Sequence, residues 1–217
     1  MDTRVALVAG GSGLVGGLLL DRLLDDPTYR EVISLGRREL PRSHPRLTQR
    51  LVDFGALEGL SLPAADDAFC CLGTTIKKAG SEAAFRAVDE AAVLAFARAA
   101  LRAGAQRLLV VTSHGADARS RVFYSRVKGE VEQALGAQGW PSLLLLRPSL
   151  LLGDRQESRP GERIAVVASR LLGPLLRPLA ARPIEAVTVA KAMWRLAREA
   201  GSGLRVVPSS ELQTLGA

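Results

Sequence analysis

The stretch Arg4-Val5-Ala6-Leu7-Val8-Ala9-Gly10-Gly11-Ser12-Gly13-Leu14-Val15-Gly16 decides the fold. Its first six residues form an aliphatic run with no polar interruption, the pattern of a strand buried on both faces. The run ends in glycines. From Leu14 to Leu24 the apolar residues recur at helical spacing and stop near Asp25-Asp26-Pro27. A strand, a tight glycine turn and a helix in this order form half of a βαβ unit. The spacing Gly10-x-x-Gly13-x-x-Gly16 differs by one position from the usual G-x-G-x-x-G. Glycines here let a pyrophosphate approach the backbone, and the last lets the helix lie close to its strand. The phosphates are then expected on the free N–H groups of the helix N-terminus.

Further along, the same alternation repeats. Strands are predicted at Glu31 to Leu35, Arg46 to Val52, Asp66 to Leu72, Gln106 to Thr112 and Ser142 to Leu146, with a last one at Leu204 to Val207. Helices are predicted from a Ser81 cap to about Arg102, with Gly104 as the stop, and over Arg119 to Gln138 and Glu185 to Ala200. An amphipathic helix is expected at Arg163 to Leu176, after a polar, turn-rich stretch from Gly153 to Gly161. Strands alternating with helices imply an α/β, Rossmann-type, doubly wound, mostly parallel sheet with helices on both faces. No repeat or linker divides the 217 residues, a length suited to one domain. Residues 149–217 are expected to add a small substrate-side cap.

The end of the second strand bears on cofactor choice. An acidic side chain there would hold the ribose 2′-hydroxyl of NAD. This chain has Gly36-Arg37-Arg38 instead, about 20 residues beyond the last glycine of the turn. A guanidinium pairs bidentately with a phosphate, so NADP(H) is favoured over NAD(H).

Tyr124 and Lys128 stand four residues apart on one predicted helix face. A free phenol ionises near pH 10, too high for efficient exchange at neutrality, and a nearby ammonium favours the phenolate. Such a tyrosine gives a proton to a carbonyl oxygen during hydride transfer, or takes one from an alcohol. Ser113, at the C-terminal end of the fifth strand, is placed to hold the substrate oxygen, because ligands bind at that edge of an open parallel sheet. His114 beside it reads as structural or exposed.

The remaining composition narrows the classes. The formal net charge is +7, yet the arginines are scattered without aromatic interleaving. That disfavours a nucleic-acid surface. The two cysteines, Cys70 and Cys71, are adjacent and expected on opposite strand faces, so neither a disulfide nor a reactive thiol is anticipated. No apolar run reaches the roughly 18 residues of a membrane span. No secretory leader is read at Asp2-Thr3-Arg4, and a cytoplasmic protein is expected. No metal is expected. A homodimer is the default assembly.

These motifs, with Cys70-Cys71-Leu72-Gly73-Thr74-Thr75, Ser113-His114-Gly115-Ala116-Asp117, Tyr124-Ser125-Arg126-Val127-Lys128-Gly129-Glu130-Val131-Glu132, Leu146-Arg147-Pro148 and the run from Asp154 to Glu162, resemble the atypical branch of the short-chain dehydrogenase/reductase superfamily. More narrowly, the chain resembles the small NADPH-binding proteins related to the human Tat-interacting protein, from Val5 to about Leu215. The resemblance implies Ser113, Tyr124 and Lys128 as the catalytic triad. It implies that Gly10, Ser12, Gly13, Leu14 and Val15 line the pyrophosphate, that Arg37 meets the 2′-phosphate and that Asp53 lies near the adenine. Leu72, Gly73 and Thr74 would pass along the cofactor, Lys128 would hold the nicotinamide ribose, and Pro148 and Ser149 would border the nicotinamide. The run 154–162 would form a flap over the substrate mouth.

The expected activity is an NADPH-dependent oxidoreductase acting on a small carbonyl or alcohol. A cofactor-sensing regulator with a protein partner is the alternative. A nucleotide-sugar epimerase or dehydratase fits less well, given the short stretch after Pro148.

Overall fold

The computed structural model describes residues 3–153, 182–199 and 201–217. In chain order the strands are β1 (Arg4–Ala9), β2 (Tyr29–Gly36), β3 (Leu47–Leu51), β4 (Asp67–Cys70), β5 (Arg107–Val111), β6 (Ser142–Arg147), β7 (Leu151–Leu152), β8 (Ile184–Glu185) and β9 (Gly203–Pro208). The helices are α1 (Leu14–Asp25), α2 (Ile76–Ala79), α3 (Glu82–Arg86), α4 (Val93–Arg102), α5 (Phe123–Gly136), α6 (Ala186–Leu196) and α7 (Ser209–Gly216). A π-helical stretch, Ala87–Ala92, joins α3 to α4, and a 3₁₀ turn, Phe54–Gly59, follows β3.

Seven strands form one sheet in the order β3-β2-β1-β4-β5-β6-β9, and every neighbouring pair is parallel. β7 and β8 form a separate two-stranded ribbon. The Rossmann-type α/β class is thus observed.

The side-chain period of two explains how the sheet carries a layer on each face. Val5, Leu7 and Ala9 of β1 point into one core with Leu108, Val110, Leu143 and Leu145. That core is closed by Phe85 and Phe96, from α3 and α4, and by Val127 and Val131 of α5. Ala6 and Val8 point the other way, joining Leu109, Leu144 and Leu146 beneath Leu19 and Leu23 of α1 and Val189 and Met193 of α6. Phe69, Phe85 and Phe96 are wholly buried. Burying a side chain of that size contributes about 1.5–3 kcal/mol each.

The N-terminal edge of the sheet is held by charge. Asp67 accepts from the Tyr29 hydroxyl at 2.8 Å and pairs with Arg107 at 3.0 Å and Arg4 at 3.3 Å. Both arginines also donate to Ala197 O, beyond α6. Burial pushes the Asp67 carboxyl up against the pull of these partners. Part of the chain's basic excess is therefore spent inside the fold.

Boundaries moved for local reasons. The helix expected from Arg119 starts at Phe123, because Asp117 and Ser120 close a turn first: Asp117 Oδ1 accepts from Arg119 N at 2.9 Å and Ser120 Oγ from Val122 N at 3.1 Å. The helix expected to run unbroken from the Ser81 cap is interrupted by the π-helical stretch, although Ser81 does cap it, accepting from Ala84 N at 3.1 Å. The helix expected over 163–176 and the turn-rich stretch 154–161 lie outside the described residues.

Candidate dinucleotide and redox site

At the C-terminal edge of the sheet, the chain turns one way after β1 and the other way after β4. That divergence opens the crevice in which open α/β sheets bind ligands. Gly10 has φ +86, and a Cβ there would sit 2.5 Å from the carbonyl of Cys71, at the exit of β4. A Cβ on Gly16 would lie 2.1 Å from Gly10 O. The turn is therefore closed to any side chain at these two positions. α1 begins with no side-chain cap at Gly13 and no acidic residue in its first turn. Its leading N–H groups, at Leu14, Val15 and Gly16, are left for an anion. Ser12 and Gly13 are exposed at the tip. These residues fit a pyrophosphate.

The adenosine end is marked by Arg37 and Asp53. Both line one open depression of about 410 Å³, together with Leu51 and Val52. Arg37 is exposed at the end of β2. Asp53 spends one carboxylate oxygen on Gly55 N, at 2.9 Å, and so caps the 3₁₀ turn as well. Leu51 is 59% exposed and offers an apolar face in the same depression. Sequence reasoning did not single it out.

Tyr124 lies in the first turn of α5, its ring 5.6 Å from that of buried Phe85. One turn on, Lys128 is buried and forms an ion pair with Asp89 at 2.8 Å; the side chains are 5% and 1% exposed. Burial works against the ammonium, but Asp89 and the Tyr124 phenol outweigh it and hold Lys128 above the usual lysine range. The second oxygen of Asp89 accepts from Thr74 N at 2.8 Å. Leu72, Gly73 and Thr74 thus run past the head of Lys128: a Cβ on Gly73 would lie 3.4 Å from Asp89 Oδ1 and 4.0 Å from Lys128 Nζ.

Ser113 follows β5 and donates from Oγ to His114 O at 3.1 Å. His114 N donates to Pro148 O at 2.8 Å, which ties the exits of β5 and β6 together. The His114 side chain is exposed. Ser149 N donates to Ser209 Oγ at 3.1 Å, so the start of α7 meets the rim of the site. The structure thus brings Ser113, Pro148 and Ser149 to the strand ends from which the glycine turn and the Leu72–Thr74 segment also emerge.

Two supports were missed. Asp89 is one. Glu132 is the other: buried, it accepts from Thr112 Oγ1 at 2.6 Å and from Arg147 Nε at 3.0 Å, pinning α5 to the ends of β5 and β6. Its hydrogen bonds hold the Arg147 guanidinium above its ordinary range. Both acids carried a sequence signal. Asp89 interrupts the apolar stripe Phe85, Ala92, Val93, Phe96, and Glu132 is one turn beyond Lys128.

Cys70 is buried and its thiol is pushed up to about 12 by burial. Burial also pushes Cys71 up, and its sulfur lies 3.8 Å from Met193 Sδ. Neither thiol is poised to react. Both are free. Among the described residues no helix is long and apolar enough to cross a membrane. The run 154–162, expected as a flap, lies outside the described residues.

No protein-family model matches the chain. Protein HTATIP2 of Rattus norvegicus is 36% identical over 209 residues, covering 94% of this chain and 85% of the relative. Protein FMP52, mitochondrial, of Eremothecium gossypii is 30% identical over 215 residues, covering 97% and 96%. Among solved structures, the UDP-glucose 4-epimerase of Thermotoga maritima with UDP-glucose superposes with a TM-score of 0.71 at 17% identity, covering 94% of this chain and 76% of that one. MoeE5 in complex with UDP-glucuronic acid and NAD gives 0.70 at 20% identity, covering 93% and 75%. Those two likenesses are of fold. With the sheet order and the near full-length match to the rat protein, they show that the chain belongs to the HTATIP2-like, atypical branch of the short-chain dehydrogenase/reductase superfamily.

Proposed function

We propose that this chain is an NADPH-dependent oxidoreductase that reduces a small carbonyl substrate. The observation that carries the reading is the gathering of Ser113, Tyr124 and Lys128 at the sheet edge beside a glycine turn closed to side chains. When bound, NADPH supplies a hydride to the carbonyl carbon. Tyr124 gives its phenolic proton to the carbonyl oxygen as that charge develops, so the alcohol forms with both hydrogens accounted for. Ser113 Oγ–H, now turned to His114 O, reorients to hold the same oxygen. Lys128 supplies a fixed positive charge beside the phenol. Arg37 takes the 2′-phosphate, and Asp53 with Leu51 receives the adenosine. Residues 149–217 contribute a small cap to this one domain. The likeness to nucleotide-sugar enzymes adds no substrate, since it is one of fold.

The test is loss of reduced-nicotinamide absorbance across a panel of aldehydes, ketones and quinones, with wild type and Tyr124→Phe. Turnover by the wild type and a fall of about 100-fold or more in the variant, with NADPH binding kept, is expected for removal of a general acid. Equal turnover by both proteins rejects the role of Tyr124. NADPH binding with no turnover by either favours the sensing alternative.

A further inference from the structure

Lys128 is faced by three titratable groups: Asp89 from the π-helical stretch, Tyr124 from its own helix and Cys70 from β4. The Cys70 thiol is pushed up to about 12 by burial and is neutral at physiological pH. Only Asp89 brings a counter-charge. Its Oδ1 makes no hydrogen bond of its own, and its partner is the ammonium at 2.8 Å. Its Oδ2 is engaged by Thr74 N at 2.8 Å. The carboxylate therefore joins the proton-handling helix to the segment that runs along the cofactor. A π-helical stretch is rarely kept without a local use, and here it carries this aspartate on the buried face of the helix.

We propose that Asp89 is a positioning residue: it fixes Lys128 with one oxygen and the Leu72–Thr74 segment with the other, and its charge keeps Tyr124 a phenol, set to give a proton rather than take one. An uncompensated ammonium beside a phenol draws it toward phenolate, the form that serves alcohol oxidation. A neutral Asp89–Lys128 pair removes most of that pull. The direction of catalysis inferred this way rests on the oxidoreductase reading above. The charge balance itself does not.

The experiment needs neither substrate nor cofactor. The chain has two tyrosines, and Tyr29 is buried against Asp67 with its ionisation pushed far up, so phenolate absorbance in a pH titration reports Tyr124. Tyr124→Phe identifies the transition by removing it. The lysines are Lys77, Lys78, Lys128 and Lys191, so ε-carbon-labelled lysine NMR follows Lys128 in parallel. The two groups titrate as a coupled pair, and the quantity compared is the first proton the pair loses. In Asp89→Asn that proton is expected to leave about tenfold more readily, one pH unit lower, as befits loss of an adjacent carboxylate. In Asp89→Asn with Lys128→Met, where both charges are gone, the phenol transition should return close to the wild-type position. Superimposable curves for wild type and Asp89→Asn overturn the proposal. If Asp89→Asn does not fold, Lys128→Met alone moves the transition up and adding Asp89→Asn brings it back; no difference between those two also overturns it. A panel that shows no turnover would leave these curves unchanged, so the two readings fail separately.

Discussion

Arg37 carries the cofactor preference. It is exposed at the end of β2, shares a depression with Asp53, and has no acidic neighbour in the position that would serve a ribose hydroxyl. Hydrogen bonds to charged groups are worth about 1.5–3 kcal/mol, so Arg37→Ser should weaken NADPH binding by roughly ten- to 100-fold. NADH binding should change by less than about twofold, since it lacks the phosphate. Calorimetric titration with both cofactors checks this, and equal losses for both would assign Arg37 another role. At this scale the sequence was informative where partners are close along the chain. Tyr124 and Lys128 announce themselves by helical spacing, and Arg37 by its distance from the glycine turn. Asp89 was not read, because what gives it meaning is a lysine on another helix and a backbone N–H in another loop. An acid in an apolar stripe was the trace it left.

α5 is the element on which the chemistry rides, and Gly129 sets its distance from the loop after β5. A Cβ at Gly129 would lie 2.1 Å from Ala118 N and 2.3 Å from Asp117 C. The helix lies backbone to backbone on that loop, and Asp117 N donates to Ser125 O at 3.0 Å across the contact. Gly129→Ala should therefore destabilise the fold by about 1–3 kcal/mol, the usual range for overpacking. It should lower turnover more than NADPH affinity, because it shifts Tyr124 and Lys128 relative to Ser113. Denaturant titration alongside cofactor binding tests it; wild-type stability would mean the loop yields without cost. The strands and the long helices were legible because each carries its own period over enough residues. β1 and α1 came out nearly to the residue, helped by a pure aliphatic run and by Pro27, which bars the preceding residue from the helix. α7 and the β7–β8 ribbon were not foreseen. α7 has a polar face broken only by Leu212 and Leu215, and a two-residue strand has no period to read; both exist through tertiary contacts, with α6 and with each other.

Across the whole molecule the two edges of the sheet divide the labour. The N-terminal edge is locked by Asp67 among Tyr29, Arg4 and Arg107. The C-terminal edge keeps its glycines, its open helix start and its Tyr124–Lys128–Asp89 cluster turned toward a ligand. This division also explains the basic composition without a polyanion partner, since Arg4, Arg107, Arg147 and Arg198 are all paired with acids inside or against the fold. The account stands or falls on a net transfer of hydride out of the cofactor, which separates a reductase from an epimerase, where the hydride returns, and from a sensor, where it never leaves. The measurement is mass spectrometry of product formed with NADPH deuterated at the transferring C4 position. Deuterium on the carbinol carbon of the alcohol made by wild type, with no such product from Tyr124→Phe, is the predicted result. Bound NADPH that keeps its label against every carbonyl offered, or label transfer undiminished in Tyr124→Phe, would contradict it.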